Sequence, residues 1–578
     1  MRLRSRSLFS HERRGTWPEH MWSFLLVMAL SMGPQQVNWA ADRLNWTFSD
    51  FTSESGIDFV HEDGHTDQQY LYELMGAGVA VLDYDSDGRL DCLFCTGVEQ
   101  LPHDGIKIHS LPLPLYRNLG ERKFKSQGKP ARLSLTAYGL GVATADYNND
   151  GFEDVYLSNF GQNQLLQNNG DGTFSDVTEV AGVSGGAQFS AGVAFLDLEN
   201  DGDLDLFVGN YVEFSYERHD VLAPLAFPFP LGPKDYPPAA DQIFVNTGEG
   251  GFIDASASFG LSNLHAPTMG IVGIDFDQDG DTDIFACNDG RPNHLYENLQ
   301  GMQFREAGLL AGVAYDLLGN ANGSMGADVT DFNNDGIEDL LVSDYIRQLP
   351  MLYQSVGGLG FEDAARRSGI GRSVISHVNW GVAWGDFDLD GDADALLANG
   401  HFLREVVDGA DVTSYAVANT VMENIGDQKF RDISRQVLNT EGGLGSSRGV
   451  AVGDLDGDGD LDAIILNNAA PPQMLENLCT APAHWLQCKL TGVEANRNAV
   501  GARVVLQTSH KARSQTVHRG RGYQSDYGHY LHFAWPADEA FESVTVHWPG
   551  GTQQQVKEIA LDQLNEIIEQ PAGAPPPP

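Results

Sequence analysis

From about residue 78 the chain repeats one polarity pattern seven times: a glycine, a short apolar run, a dense acidic stretch, then a second apolar run. Val193-Ala-Phe-Leu196 and Val382-Ala-Trp-Gly385 precede the acid; Leu204-Asp-Leu-Phe-Val208, Ile284-Phe-Ala286 and Ala463-Ile-Ile-Leu466 follow it. Apolar runs this short, bounded by turn residues, predict buried strands rather than helices. A third run ends in asparagine (Leu115-Tyr-Arg-Asn118, Leu165-Leu-Gln-Asn168, Ile243-Phe-Val-Asn246, Leu295-Tyr-Glu-Asn298, Val421-Met-Glu-Asn424). A fourth begins at an aromatic residue: Phe174, Phe252, Phe361 or Phe430. Four short strands per repeat, with repeats starting 51 to 78 residues apart, predict the blades of a β-propeller.

The ends of the pattern support a closed ring. The seventh repeat stops after its third strand, Met474-Leu-Glu-Asn477. The missing fourth strand stands at the front, where Phe48-Ser-Asp-Phe-Thr-Ser-Glu-Ser-Gly56-Ile57 matches Phe174-Ser-Asp-Val-Thr-Glu-Val-Ala-Gly182-Val183. An N-terminal strand completing the seventh blade would remove a free sheet edge.

Each acidic stretch is a nine-residue loop with oxygen-bearing side chains at its first, third, fifth and ninth positions. The loops present Asp83, Asp85, Asp87 and Asp91; Asp146, Asn148, Asp150 and Asp154; Asp197, Glu199, Asp201 and Asp205; and Asp275, Asp277, Asp279 and Asp283. The last three present Asp331, Asn333, Asp335 and Asp339; Asp386, Asp388, Asp390 and Asp394; and Asp454, Asp456, Asp458 and Asp462. Hard oxygen donors crowded on a short loop suit Ca²⁺, and the glycine at each sixth position permits the sharp turn that lets them converge. Up to seven structural calcium ions are therefore expected. An EF-hand is excluded: its twelfth position needs a bidentate glutamate, and here Phe94 and Val208 stand there between strand-like flanks. A glycine lies five residues before each loop (Gly78, Gly141, Gly192, Gly270, Gly326, Gly381 and Gly449).

These repeats resemble the FG-GAP/VCBS repeats of integrin α-subunit propellers. More closely, the chain resembles bacterial relatives of cartilage acidic protein that end in an ASPIC/UnbV domain. Gly56-Ile-Asp-Phe-Val-His61, Met325-Gly326 and Trp380 through His401 carry the likeness in the propeller. Gly492, Asn496-Arg-Asn-Ala-Val-Gly-Ala-Arg503, Gly520-Arg-Gly-Tyr-Gln-Ser525 and His547-Trp-Pro-Gly550 carry it in the C-terminal domain. The resemblance departs at the insertion of the third repeat, which lacks cysteines, and at Leu531-His-Phe-Ala-Trp-Pro536, where the family has a glycine-containing turn. The expected fold is all-β: a seven-bladed propeller over residues 46–478, then a small, separate sandwich-like β domain over 484–570. Strands are expected at 502–507, 515–518, 530–533 and 544–548, and 571–578 forms a Pro-rich tail.

Composition narrows the function. A formal charge of −45 argues against nucleic-acid binding, while 42% hydrophobic residues argue for a folded chain. Arg2, Arg4, Arg6, Arg13 and Arg14 precede the apolar run Trp22–Met32, too short to span a bilayer, so residues 1–40 read as a signal peptide and the protein as exported. No other stretch resembles a transmembrane helix. Cys92 and Cys95, three apart on an expected strand, point to opposite faces and read as buried thiols; Cys479 and Cys488 are close enough in sequence to pair.

Residues 495–525 hold no acid and six cations, Arg497, Arg503, Lys511, Arg513, Arg519 and Arg521. They suit an anionic partner such as an acidic glycan or, as the plainer alternative, are ordinary surface charge that could dock on the acidic propeller. His61-Glu-Asp-Gly-His65 could hold a transition metal, with a polar turn the plainer reading. The insertion Tyr211–Asp241 could form a binding rim or simply pack. No nucleophile elbow, H-E-x-x-H or phosphate-cradling loop is present. These readings point to a calcium-binding module for an extracellular glycan or protein. A polysaccharide-active lyase or hydrolase working at the central channel, or a non-enzymatic surface scaffold, are the alternatives.

Overall fold

The computed structural model describes residues 44–98, 111–226, 230–299, 303–404, 414–438 and 443–570; the expected signal segment and the Pro-rich tail lie outside them. Among the described residues, no helix is long and apolar enough to cross a membrane. The fold is all-β and propeller-like. Among the described residues, the four strands around each acidic loop pair antiparallel: five repeats form separate four-stranded sheets, and the second and third join in one eight-stranded sheet. The first runs Val79–Leu82, Asp91–Phe94, Leu115–Asn118, Phe124–Ser126, and the others repeat that order outward from an innermost strand. The innermost strands touch in cyclic order, and Ser447–Gly453 of the seventh sheet meets Val79–Leu82 of the first.

The strand Phe48–Asp50 pairs antiparallel with Gln473–Asn477, with Phe48 opposite Asn477, and forms the outer edge of the seventh sheet. Both halves of the sequence match noted above fold alike. A strand is followed by one helical turn, Thr52–Ser55 or Thr178–Ala181, that ends at a left-handed glycine, Gly56 (φ 84°) or Gly182 (φ 78°).

The hydrophobic core lies between sheets, because each presents an apolar face to the next. Val208 and Phe244 of the third sheet pack with Tyr156 and Leu165 of the second, and Phe285 of the fourth packs with Leu340 and Tyr353 of the fifth. Removing such area from water supplies about 25 cal/mol per Å², so neighbouring blades stabilise one another. Cys92, Cys95, Cys287 and Cys488 are buried free thiols and Cys479 is a half-buried one; Cys479 and Cys488 are not bonded.

The C-terminal residues form two sheets around their own core. Leu531–Pro536, Ala483–Thr491 and Leu564–Ile568 make one, and Ala512–Thr516, Arg503–Thr508, Phe541–His547 and Gln553–Val556 make the other. Leu486, Phe533, Val504 and Val546 meet between them. Three strands escape the sequence reading, and Leu531–Pro536 is a regular strand where a turn was in question. One compact unit takes in both the propeller and these sheets.

Candidate functional site: seven acidic loops and a filled channel

The loops share one conformation. Their sixth-position glycines all have positive φ, from 84° at Gly88 to 100° at Gly459. Their fourth positions do too, including Ser86, Asn149, Gln278 and Leu389 at 57–63°. Two consecutive left-handed turns of this kind curl the backbone around the first aspartate. Its carboxylate then accepts the sixth-position N–H in every loop, as from Gly88 to Asp83 at 3.0 Å and from Gly336 to Asp331 at 2.8 Å.

The ninth-position aspartate joins loop to sheet. Asp91 accepts from the amides of Asn118 (2.7 Å) and Tyr84 (3.2 Å), and Asp283 from those of Asn298 (2.8 Å) and Phe276 (3.1 Å). The asparagine closing the third strand then reaches the adjacent blade. Asn118 Nδ2 donates to the Leu455 carbonyl at 2.7 Å, Asn168 to Tyr84 at 2.8 Å, and Asn477 to Phe387 at 2.8 Å. This asparagine was visible as the end of a strand pattern; its role as an inter-blade staple was not. Ser355 holds the corresponding place in the fifth blade.

The donor set fits a hard divalent cation. In four loops three carboxylates converge, with one oxygen of each within 4.8 Å of the others: Asp83, Asp85 and Asp91; Asp275, Asp277 and Asp279; Asp386, Asp388 and Asp394; Asp454, Asp456 and Asp462. The loops starting at Asp146 and Asp331 carry Asn148 and Asn333 at the third position. In the loop starting at Asp197, burial raises the pKa of Asp205 well above the usual carboxylate range, and Glu199 leans on it. Asp150 and Asp335 accept the amides of Phe152 and Ile337, as Asp87, Asp201 and Asp390 accept those of Arg89, Asp203 and Asp392. Asp458 accepts that of Asp460.

Asp154 and Asp339 are wholly buried, yet each keeps one oxygen without a hydrogen-bond partner. Burial pushes the pKa of Asp91 up to about 8 and those of Asp283 and Asp339 to about 9. Carboxylates this desolvated stay ionised only beside a compensating charge.

The C-terminal domain sits on this loop face and reaches the first aspartate or its loop in six of seven cases. Tyr530 donates to Asp83 (3.2 Å), Asn496 to Asp197 (3.3 Å), Ser514 to Asp331 (3.1 Å) and Gln487 to Asp454 (2.8 Å). Asn498 accepts the Asp146 amide (2.5 Å), and Arg513 donates to the Gly391 carbonyl (3.0 Å) beside Asp386. The exception is the fourth loop, whose Asp275 is exposed and borders an interdomain cavity of about 700 Å³.

The six cations of 495–525 are thereby spent on the protein's own acids and carbonyls. Arg497 lies 3.9 Å from Asp146, Lys511 2.7 Å from Asp392 and Arg519 3.3 Å from Glu153. Arg503 donates to Gly336 O at 3.2 Å, Arg513 pairs with Glu539 at 3.2 Å, and Arg521 pairs with the buried Asp328. Docking, the plainer reading, is the one realised.

Residues Arg519–Tyr527 go further and fill the propeller's axis. Arg519 O accepts from Phe195 N (3.0 Å), Gly522 exchanges two backbone hydrogen bonds with Ala327 (2.7 and 3.1 Å), and Gln524 O accepts from Val142 N (3.1 Å). Asp526 accepts both the amide and hydroxyl of Thr144 (2.8 and 2.7 Å). Close approach of the plug or of the neighbouring innermost strand explains the glycines that precede the loops. A Cβ at Gly78 would come within 1.6 Å of Gln524 O, and one at Gly326 within 3.0 Å of Gly522 C. At Gly141, Gly192, Gly270 and Gly381 it would strike the neighbouring innermost strand at 2.3–2.7 Å, and at Gly449 it would lie 2.7 Å from Ser525 Oγ. The wholly buried Arg448 completes the filling from the other side, donating to the carbonyls of Met75 (2.9 Å) and Leu74 (3.1 Å) with its guanidinium 4.0 Å from the Trp380 ring centre.

The remaining candidates resolve as structural groups. His61 is buried, accepts the Ala469 amide at 3.3 Å and is held neutral by burial, its pKa lowered to about 4, whereas His65 is exposed. The two histidines belong to no converging metal-ligand group among the described residues. In the insertion, His219 bridges Tyr236 Oη (2.8 Å) and Gln68 O (3.0 Å), which pins it beside the N-terminal segment.

The chain is similar to known proteins over most of its length. FG-GAP-like repeats match at residues 83–157, 146–208, 275–342 and 408–465, and an ASPIC and UnbV domain at 492–574. Cartilage acidic protein 1 of Xenopus tropicalis is 24% identical over 85% of this chain and 73% of its own length; that of Mus musculus is 25% identical with the same coverage. Among solved structures, an Agrocybe aegerita lectin specific for non-reducing terminal N-acetylglucosamine aligns over 62% of this chain and 81% of its own, at 16% identity and a TM-score of 0.35. Rhamnogalacturonan lyase YesW aligns over 69% and 71%, at 13% identity and a TM-score of 0.34.

Proposed function

Taking as premise that the chain carries FG-GAP-like repeats and an ASPIC/UnbV domain, we propose that it is an exported, calcium-stabilised propeller that binds an extracellular glycan or protein. The propeller spans 46–478 and the C-terminal domain 484–570. Calcium in the seven loops is structural: it neutralises carboxylates that burial would otherwise protonate, and it pins the first two strands of each blade. The observation that carries the reading is the filled axis. Arg519–Tyr527 occupies the channel where a polysaccharide-active enzyme would need its cleft.

The test is a screen of the purified protein, with calcium, against soluble polysaccharides in affinity gels and against captured extracellular proteins. Release of new chain ends is read from the same samples. Retardation or capture without cleavage is expected. Cleavage lost on chelation would replace this reading with the enzyme.

A further inference from the structure

The face opposite the metal loops carries a second concavity. Metal loops join the end of each innermost strand to the start of the second. The residues lining this opening instead precede or begin innermost strands (Leu74, Trp380) or follow second strands (Asp289, Tyr345, Phe402), so they gather at the other end of the axis. The cavity measures about 450 Å³, within the range of small-molecule sites.

Its walls are preformed. Phe402 stacks on His401 (ring centroids 4.6 Å) and on Tyr345 (6.1 Å), and Trp380 is fixed by its Nε1 donating to Gly400 O at 2.8 Å. The tip of the C-terminal plug supports the floor, where Tyr523 Oη donates to Met75 O at 3.0 Å and its ring meets Trp380 edge-on at 5.4 Å. The third-repeat insertion supplies one side through Leu231 and Lys234.

Polar groups at this opening are left uncommitted. His401 is 2% exposed; its Nδ1 accepts the Leu403 amide at 2.9 Å, so the neutral ring carries its proton on Nε2, and Nε2 has no protein partner among the described residues. Gln348 Oε1 accepts from Gly323 N at 2.8 Å, leaving its amino group as a free donor. Asp289 accepts the Tyr211 hydroxyl at 2.7 Å through one oxygen and keeps the other. Lys234 offsets part of the Asp289 charge, and Asp235 lines the same opening, so the pocket carries no excess of positive charge.

We propose that this pocket binds an uncharged pyranose unit of an extracellular saccharide. Flat aromatic and aliphatic walls match the C–H faces of a sugar ring. Separate donors (His401 Nε2, Gln348 Nε2) and an acceptor (Asp289) match its hydroxyls. A polyanionic chain is disfavoured by the field of the acidic protein, and the site offers no excess of cations to offset it. The proposal rests on the binding-module reading and gives it a location and a ligand class.

The experiment is calorimetric titration of the calcium-loaded full chain with neutral oligosaccharides (gluco-, manno- and N-acetylglucosamine oligomers), their free monosaccharides, and uronate oligomers. Two variants keep the local fold: His401→Asn retains an acceptor for Leu403 N but loses the Nε2 donor, and Gln348→Glu retains the acceptor for Gly323 N but replaces the donor. Binding of a neutral saccharide, weakened at least tenfold in both variants with an unchanged melting temperature, is the expected result. Equal affinity for monomer and oligomer would mark a free sugar as the source; tighter oligomer binding marks a polymer end. Neutral-sugar binding that survives both variants would overturn the site while leaving the binding-module reading intact. Binding confined to uronates would overturn the ligand class. No saccharide binding, with a protein partner captured instead, would overturn this inference but not the module.

Discussion

Seven loops of nearly one sequence end in two environments. Six first-position aspartates are buried under the C-terminal domain and receive its side chains or flank its contacts, whereas Asp275 of the fourth loop stands exposed beside a cavity. The backbone conformation is the same in all seven, including the left-handed glycine (φ 93° at Gly280). Local sequence thus shapes the ligand cradle, and a C-terminal domain whose contacts lie 33 to 447 residues downstream decides how firmly each cradle is closed. On this view calcium, the loops and the C-terminal cap form one cooperative structure, with the fourth loop as its loosest member.

Chelation gives the largest expected effect, because it removes charge compensation from all loops at once. Melting temperature should fall by more than about 10 °C in EDTA and recover with Ca²⁺; an unchanged melt would end the structural-calcium reading. The pH dependence sharpens this. Without metal, Asp91 has its pKa raised to about 8, and Asp283 and Asp339 to about 9, against roughly 3.9 when unfolded. Raised folded values mean a stabilisation complete below about pH 4 and progressively lost as pH climbs toward 8–9. Melting scans in EDTA should therefore show lower transitions at pH 8 than at pH 5, and added calcium should abolish that slope.

The comparison between loops can be broken directly. Asp386→Asn in a covered loop should cost about 1–3 kcal/mol by denaturant titration, since it removes charge from a buried, hydrogen-bonded site. Asp275→Asn should cost less than about 0.5 kcal/mol. Equal costs would show that capping is irrelevant. In stopped-flow chelation with a terbium-loaded protein, one ion should leave ahead of the other six, and Asp275→Asn should remove that fast phase.

A smaller effect tests the inter-blade staple. Ser355 stands where six other blades place an asparagine that bonds the adjacent loop. Ser355→Asn should restore a bond to the Phe276 carbonyl and stabilise by about 0.5–1.5 kcal/mol, whereas Asn118→Ala should destabilise by about 1–3 kcal/mol. Shifts in urea midpoint check both.

The strands, the loops and the N-terminal strand beside Gln473–Asn477 were readable because they are written in short-range patterns. Apolar runs between turns, an aspartate–glycine spacing and a repeated aromatic each report on a local ladder or turn. The seven glycines before the loops were visible too, yet their cause was not. Gly78 is small because Gln524, over 440 residues away, leaves no room for a side chain. The basic stretch likewise showed its charge but not its partners, since Arg521 and Asp328 meet only after both domains fold. His61 and His65 looked like a pair in sequence and are separated by burial.

Repetition is a property of the chain: each blade must satisfy its own backbone and bury its own faces, so its residues recur and can be read in order. Closure of the axis, the capping of six cradles and the aromatic pocket at the far end depend on contacts between segments hundreds of residues apart. No local pattern encodes which distant surface will arrive there. Those features exist only when the ring closes and the segment Arg519–Tyr527 enters it, exchanging water along the innermost strands for backbone hydrogen bonds.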